Sequence, residues 1–309
     1  MMESQEQKTE VKIYTIHSQK GGVGKTSVAL AKAGWVALKE DKRTLIIDGD
    51  ITGTSLVDIF GKENNNVRYL NDLLLSDPIA FRQYKKEPSR VEADFCIPIV
   101  KHKKIFFMPS SSMFENIKII VSLISQEDKL HFFQSRMRDI LELLAQNNFD
   151  TLIIDTPPGL YGMSQAMREI KFNEIEKYKF KKHSIFVTSP DRPDYRALFS
   201  ALSQIYLDIK KEAREEWLKA NSIVFNKFST TGSRDPAFKL TEILSDLKSL
   251  QEKRKVDEKI LDKLKDTASL AAEFDIEQIL ETVNHLINSP DSREHPTPFQ
   301  KWCLEIEKI

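Results

Sequence analysis

The stretch KGGVGKTS, residues 20 to 27, places two lysines, three glycines and two hydroxyls in eight consecutive positions. Gly24-Lys25-Thr26 ends it as a phosphate-binding loop ends. In the common spacing G-x-x-x-x-G-K-[ST] the first glycine falls at position 19, where this chain has Gln19 followed by Lys20. Gly21, Gly22 and Gly24 let the backbone bend around a phosphate chain, and Val23 adds a backbone N–H to the cradle. Lys25 reaches the β- and γ-phosphates, the Thr26 hydroxyl ligates Mg²⁺, and Ser27 donates to the α-phosphate. A lone extra lysine such as Lys20 is ordinarily a solvated loop-edge residue.

The flanking segments must position this loop. VKIYTIH, residues 11–17, reads as a strand, and the alanine- and leucine-rich run over 27–39 reads as a helix. A strand, a glycine-rich turn and a helix N-terminus make an anion site, because unpaired N–H groups and the positive dipole end converge there. Acids stand at the ends of other apolar strands, where ligands of open parallel sheets bind. Asp155 ends TLIID and precedes Thr156-Pro157-Pro158-Gly159; a carboxylate there holds Mg²⁺ through water. Asp48 ends a second TLIID, with Asp50 two residues on, and Asn226-Lys227 closes the apolar strand SIVFN.

As a whole, KGGVGKT resembles the deviant Walker A signature of the ParA/MinD family of ATPases, and Gln19 resembles its ParA-like branch. The resemblance runs over roughly residues 11–228. It implies that Lys20 acts in trans, on the phosphates of the partner in a nucleotide-sandwich homodimer. DTPPG resembles the family's switch II, so that Pro157, Pro158 and Gly159 turn near the γ-phosphate. Asp48 and Asp50 match its switch I acids, Asp50 orienting the attacking water and Asp48 lying nearer the metal. The chain departs from the ParA-like pattern after Asp50, with Ile51-Thr52-Gly53-Thr54 in place of Pro-Gln-Gly-Asn. Asn226 falls where the family contacts the adenine edge. A guanine reader would need an aspartate two residues after Lys227, where Ser229 stands, so ATP with Mg²⁺ is the expected pair.

The totals narrow the classes. The 309 residues are 40% hydrophobic and 30% charged, enough for a substantial core. No apolar run approaches the ~18 residues of a membrane span, and MMESQEQKTE is no secretory leader. Two distant cysteines, Cys96 and Cys303, fit a reducing cytoplasm. Lysines and arginines balance aspartates and glutamates at 46 each, so DNA binding would rest on a local patch. Lysine-rich 177–183 and 251–265 offer one, although acids interleave in the second, which reads equally as a solvated helix with internal ion pairs.

Near-continuous apolar strands (VKIYTIH, TLIID, KIFFMPS, TLIID, SIFVTS, SIVFN) alternate with helical stretches, predicting an α/β fold with a doubly wound, mostly parallel sheet. The expected organisation is a disordered 1–9 and an ATPase domain over 10–288. Within it, 61–100 is an irregular insertion with a short helix at YLNDLLL, and 236–288 is helical. A linker and a short amphipathic helix fill 289–309. Leu130, Phe133, Met137, Ile140, Leu141 and Leu144 share one helix face, with Ser125 and Asp128 as candidate caps.

The function expected on this resemblance is an ATP-dependent dimerising switch that positions or partitions DNA or another large cargo, its hydrolysis stimulated by a partner protein. A P-loop kinase or ligase generally lacks a lysine like Lys20, a metal-cluster relative needs paired cysteines, and a tyrosine-kinase relative needs a C-terminal tyrosine cluster. In the tail, Phe299, Trp302, Cys303, Ile306 and Ile309 fall at helical spacing. MinD-like relatives bind membrane through such a helix. Here two lysines meet two glutamates on the polar face, so docking onto the protein body or the dimer partner is expected instead.

Overall fold

The computed structural model describes residues 9–51, 67–99, 104–111, 113–172, 177–226, 236–253, 255–263, 268–269 and 298–309, with the single positions 283, 285 and 288. The expectations for 1–8, for Thr52 to Thr54, for 61–66, for Lys227 and Ser229 and for 289–297 lie outside the described residues.

Eight strands are described: β1 Thr9–His17, β2 Thr44–Asp48, β3 Ile97–Pro98, β4 Ile105–Met108, β5 Thr151–Asp155, β6 Tyr178–Thr188, β7 Asn221–Phe225 and β8 Ala268–Ser269. They form a sheet of order β3-β4-β2-β5-β1-β6-β7-β8, in which β2 pairs in parallel with β4 and β5, and β7 with β6 and β8. Only β3 is antiparallel to its neighbour β4 among these registers. The doubly wound, mostly parallel fold expected from the sequence is the fold observed.

Two compact units divide the chain. The first comprises 1–15, 40–157 and 161–182, the second 16–39, 158–160 and 183–309. In the first unit, β2 and β5 carry the same pentapeptide, TLIID, and every residue of both is buried. Its helices are α2 Leu70–Leu75, α3 Pro78–Lys86, α4 Ser89–Phe95, α5 Phe114–Ile124, α6 Glu127–Gln146 and α7 Met163–Arg168, while α1 is Lys25–Gly34 of the second unit. The α6 stripe Phe133, Met137, Ile140, Leu141 and Leu144 is buried as its spacing predicts, with Leu130 half-buried at the margin of the same core. Its cap differs from expectation: Gln126 precedes the first turn, and the Ser125 hydroxyl instead donates to the Ser122 carbonyl, closing α5.

Residues 67–99 are more regular than their polarity suggests. Besides α2 at the expected place, α3 and α4 form because Asp77 accepts the N–H groups of Ile79 and Ala80, Pro78 opens the first turn, and Phe81, Tyr84, Val91 and Phe95 are buried.

The second unit contains α8 Arg192–Asp208, α9 Arg214–Lys219, α10 Pro236–Glu252, α11 Glu258–Asp262 and α12 Pro298–Glu307. Its core joins Phe186, Tyr195, Phe199, Phe225 and Leu247. After Gly34 the first helix widens into a π turn over Trp35–Lys39. There the Trp35 indole Nε1–H donates to the Cys303 carbonyl at 2.6 Å, and Lys39 pairs with Glu307. Cys303 and Ile306 are buried, so α12 packs on its own chain.

Candidate nucleotide-binding site

The phosphate loop belongs to the second unit. β1 ends at His17, the backbone turns through Gly22 at φ 72° and Gly24 at φ 87°, and α1 starts at Lys25. Only glycine takes these left-handed angles without strain. The turn brings the amino end of α1, with its first-turn N–H groups, to the open side of the loop, where Gly21 and Gly22 are exposed and Thr26 and Ser27 half-buried. Lys25 is 8% exposed and, among the described residues, carries no ion pair. A buried cation at a helix N-terminus suits a polyphosphate.

Three contacts fix the loop. The Ser18 hydroxyl donates to the Lys20 carbonyl at 2.6 Å, and the Gly159 N–H donates to the Ser18 carbonyl at 2.8 Å. Thus Pro158 and Gly159, the second half of the proline turn, lie against the loop, with Pro158 Cγ 3.9 Å from where a Gly21 side chain would begin. The third contact runs from Asn226, whose side-chain amide donates to the Val23 carbonyl at 2.9 Å. A Cβ on Gly24 would stand 2.0 Å from the same nitrogen.

Lys20 points elsewhere. Its ammonium lies 2.5 Å from Asp194 Oδ1 in the first turn of α8 and is half exposed.

The acids belong to the first unit. Because β2 and β5 share one sequence in matched register, Asp48 stands opposite Asp155 at the carboxyl ends of adjacent parallel strands. Both are buried. Gly49 makes this approach feasible: its N–H donates to the Asp155 carbonyl at 2.8 Å, and a Cβ there would also lie 2.8 Å from that oxygen. The Asp50 N–H donates to Asp48 Oδ1 at 3.1 Å, while Oδ2 is buried with no hydrogen-bond partner. Burial pushes the Asp48 carboxyl up to about 8, the Asp155 charge adding to the effect; the Ser110 hydroxyl faces it outside hydrogen-bond geometry and lowers it only partly. Two buried carboxylates side by side fit a cation. A hard cation such as magnesium takes one or two protein carboxylates and completes its shell with water and phosphate oxygens. Asp50 is half-buried beside the pair, and Pro157 is buried after Thr156.

Each residue expected at the site therefore falls in one of two clusters: Lys20, Gly21, Gly22, Val23, Gly24, Lys25, Thr26, Ser27, Pro158, Gly159 and Asn226 in the second unit, Asp48, Asp50, Asp155 and Pro157 in the first. Ser18, Gly49 and Asp194 are additions from the structure. A glycine between two acids was a visible signal for Gly49; Ser18 and Asp194 carried none. Both cysteines are free and buried, with burial pushing Cys303 up to about 12, so neither offers a reactive thiolate.

This strand–loop–helix unit, with acids at the ends of buried parallel strands, defines a P-loop nucleotide-binding protein. The family model described as ParA, NUBPL iron-transfer P-loop NTPase, matches residues 10–192, and the chain belongs to that family. Over 150 residues it is 32% identical to the chromosome partitioning protein ParA of Myxococcus xanthus, a match covering 48% of this chain and 45% of that protein. Over 160 residues it is 34% identical to an uncharacterized ATP-binding protein of Methanocaldococcus jannaschii, with 48% and 45% covered. The chain spans about half the length of the curated relatives it matches. Among solved structures, a ParA family ATPase from Chlorobium tepidum superposes with a TM-score of 0.57 at 16% identity, covering 96% of this chain and 98% of that one. The MinD protein of Pyrococcus horikoshii, solved with Mg-ADP, gives 0.56 at 15%, covering 96% and 95%. At such identities the likeness is one of fold.

Proposed function

We propose that the protein is an ATP-hydrolysing, dimerising switch of the ParA type, which positions or partitions DNA or another large cargo and is stimulated by a partner protein. The observation that carries this reading is the contrast between two lysines five residues apart on one loop. Lys25 is buried behind it, whereas Lys20 is half exposed and directed away toward α8. Lys25 serves the phosphates of its own subunit, and Lys20 those of a second copy.

Gly21 to Gly24 and the N–H groups of Lys25, Thr26 and Ser27 wrap the phosphate chain. Asp48 and Asp155 are the carboxylates for magnesium, and Thr26 supplies the loop's hydroxyl ligand. Magnesium, when bound, neutralises charge on the β- and γ-phosphate oxygens. Asp50 orients the attacking water, and the turn Pro157-Pro158-Gly159 responds to the γ-phosphate. Asn226 serves the adenine side of the site, and Ser229, in place of a guanine-reading aspartate, supports ATP over GTP.

A MinD-like, membrane-associated ATPase shares the fold to the same degree. The docked α12, with Cys303 and Ile306 buried, supports the ParA-like reading over it. Gel filtration of the full chain with and without ATP, and with excess nonspecific DNA, tests the proposal. ATP is expected to shift the protein to a dimer, and the dimer to elute with DNA. A monomer at every ATP concentration rejects the switch.

A further inference from the structure

In the single subunit Lys20 is held at both ends. Its carbonyl accepts the Ser18 hydroxyl at 2.6 Å, and its ammonium pairs with Asp194 Oδ1 at 2.5 Å. Asp194 is itself fixed: the Ser189 hydroxyl donates to its Oδ2 at 2.7 Å, and its backbone N–H donates to the Asp191 carbonyl at 2.9 Å in the first turn of α8. The Asp194 side chain is 17% exposed, that of Lys20 50%. Burial raises the Asp194 carboxyl, but the hydrogen bonds from Lys20 and Ser189 outweigh it and hold the group below its ordinary value.

We propose that Asp194 is the positioning residue for Lys20 in the resting subunit, and that dimer closure exchanges this carboxylate for the partner's phosphates. The inference rests on the reading of Lys20 as acting in trans. A lysine that must leave its own subunit cannot stay ion-paired within it, so each closing event opens one such contact per subunit.

Two features make the exchange reversible. A half-exposed ion pair is weak, so a polyphosphate with several charges outcompetes one carboxylate. Asp194 also keeps support after the lysine departs, because the Ser189 hydroxyl and the positive end of the α8 dipole both favour its charge. The contact thus biases the monomer without locking it. Opening such a pair costs about threefold in population per subunit, hence about tenfold per dimer, since both lysines must be released.

Asp194→Asn keeps the shape while removing the charge. Two measurements on the full chain test the exchange. In nucleotide-free protein, acylation of lysines by an N-hydroxysuccinimide ester, read by mass spectrometry, should label Lys20 about threefold faster in Asp194→Asn than in wild type. Labelling of Lys181 and Lys210 should not change, and Asp194→Glu should restore protection. Equal Lys20 labelling in wild type and Asp194→Asn overturns the pairing itself. In sedimentation with ATPγS, Asp194→Asn should tighten the dimer about tenfold, and Asp194→Glu should return it to the wild-type affinity. Weaker or unchanged dimerisation overturns the exchange. Faster Lys20 labelling in a protein that stays monomeric with ATPγS, wild type included, locates the failure in the in-trans reading and removes the exchange with it.

Discussion

Asn226 donates its side-chain amide to the Val23 carbonyl at 2.9 Å, which ties the end of β7 to the middle of the phosphate loop. The same nitrogen occupies the space that a side chain at Gly24 would need. Gly24→Ala therefore meets two obstacles at once, a left-handed φ of 87° and a displaced Asn226, and should abolish nucleotide binding. Asn226→Ala is milder: it leaves the Val23 carbonyl unpaired, at about 1–2 kcal/mol, or roughly tenfold in affinity. Titration with ATP, GTP and tripolyphosphate separates two roles for this residue. A loop-holding Asn226 weakens all three ligands alike, whereas an adenine contact weakens ATP alone.

What the sequence disclosed and what it hid follow from range. The phosphate loop is local: glycines, lysines and helix start lie within eight residues, so composition and spacing alone identify it. The acid pair was half legible. Each TLIID announces a buried strand, but only the matched register of β2 and β5 sets Asp48 against Asp155 and makes Gly49 necessary. The first half of β6 was obscured by its lysines. In YKFKK, Tyr178 and Phe180 turn inward while Lys179 and Lys181 point out, an alternation of period two that reads as a charge run. The Lys20–Asp194 pair had no signal at all, because 174 positions of chain separate the partners and only the fold joins them.

The two loop lysines should respond differently to removal. Lys25→Ala takes a buried cation from behind the loop and is expected to abolish ATP binding. Lys20→Ala leaves that cation in place, so binding should persist while dimerisation and hydrolysis are lost. Fluorescent-nucleotide titration beside steady-state turnover resolves the pair. Normal hydrolysis by Lys20→Ala would falsify the in-trans role.

Asp50 lies beside the buried acid pair through its N–H contact with Asp48, yet its own carboxylate is more exposed. Asp50→Ala should retain nucleotide and slow turnover on the order of 10²-fold, because the water loses its positioning group. The variant should accumulate as an ATP-bound dimer on gel filtration. Turnover at the wild-type rate removes Asp50 from the mechanism.

His183 sits largely buried on β6 with Nε2 2.8 Å from the Ser222 hydroxyl. Burial, reinforced by the charges of Lys32 and Lys263, pulls it down to about 4 from an ordinary 6.5. The unfolded chain then takes up a proton at higher pH than the folded one, so this contribution is full above pH 6.5 and is lost as pH falls through 4. Between about pH 7 and 4.5 it amounts to roughly 2 kcal/mol. His183→Gln should flatten the urea-denaturation profile over that interval. Parallel profiles for variant and wild type would show that the ring titrates alike in both states.

The tail offers the last test, since its apolar stripe invites two readings. A membrane-surface helix keeps that stripe free and carries a basic polar face. Here Cys303 and Ile306 are buried, the Cys303 carbonyl accepts the Trp35 indole N–H at 2.6 Å, and Glu307 pairs with Lys39. These contacts land on the π turn that continues α1, whose other end begins at Lys25. Removing residues 296–309 uncovers apolar surface there and strands the indole donor, a loss of about 2–4 kcal/mol, which in a chain of this size lowers Tm by about 5 °C or more. Dimerisation should weaken with it, because the helix bearing the phosphate loop loses its support. Recovery on anionic liposomes should be the same for full and shortened chains, with or without ATP. Strong ATP-dependent pelleting of the full chain, abolished by the deletion, would mean that α12 leaves its dock for the bilayer and would move the protein to the membrane-binding branch.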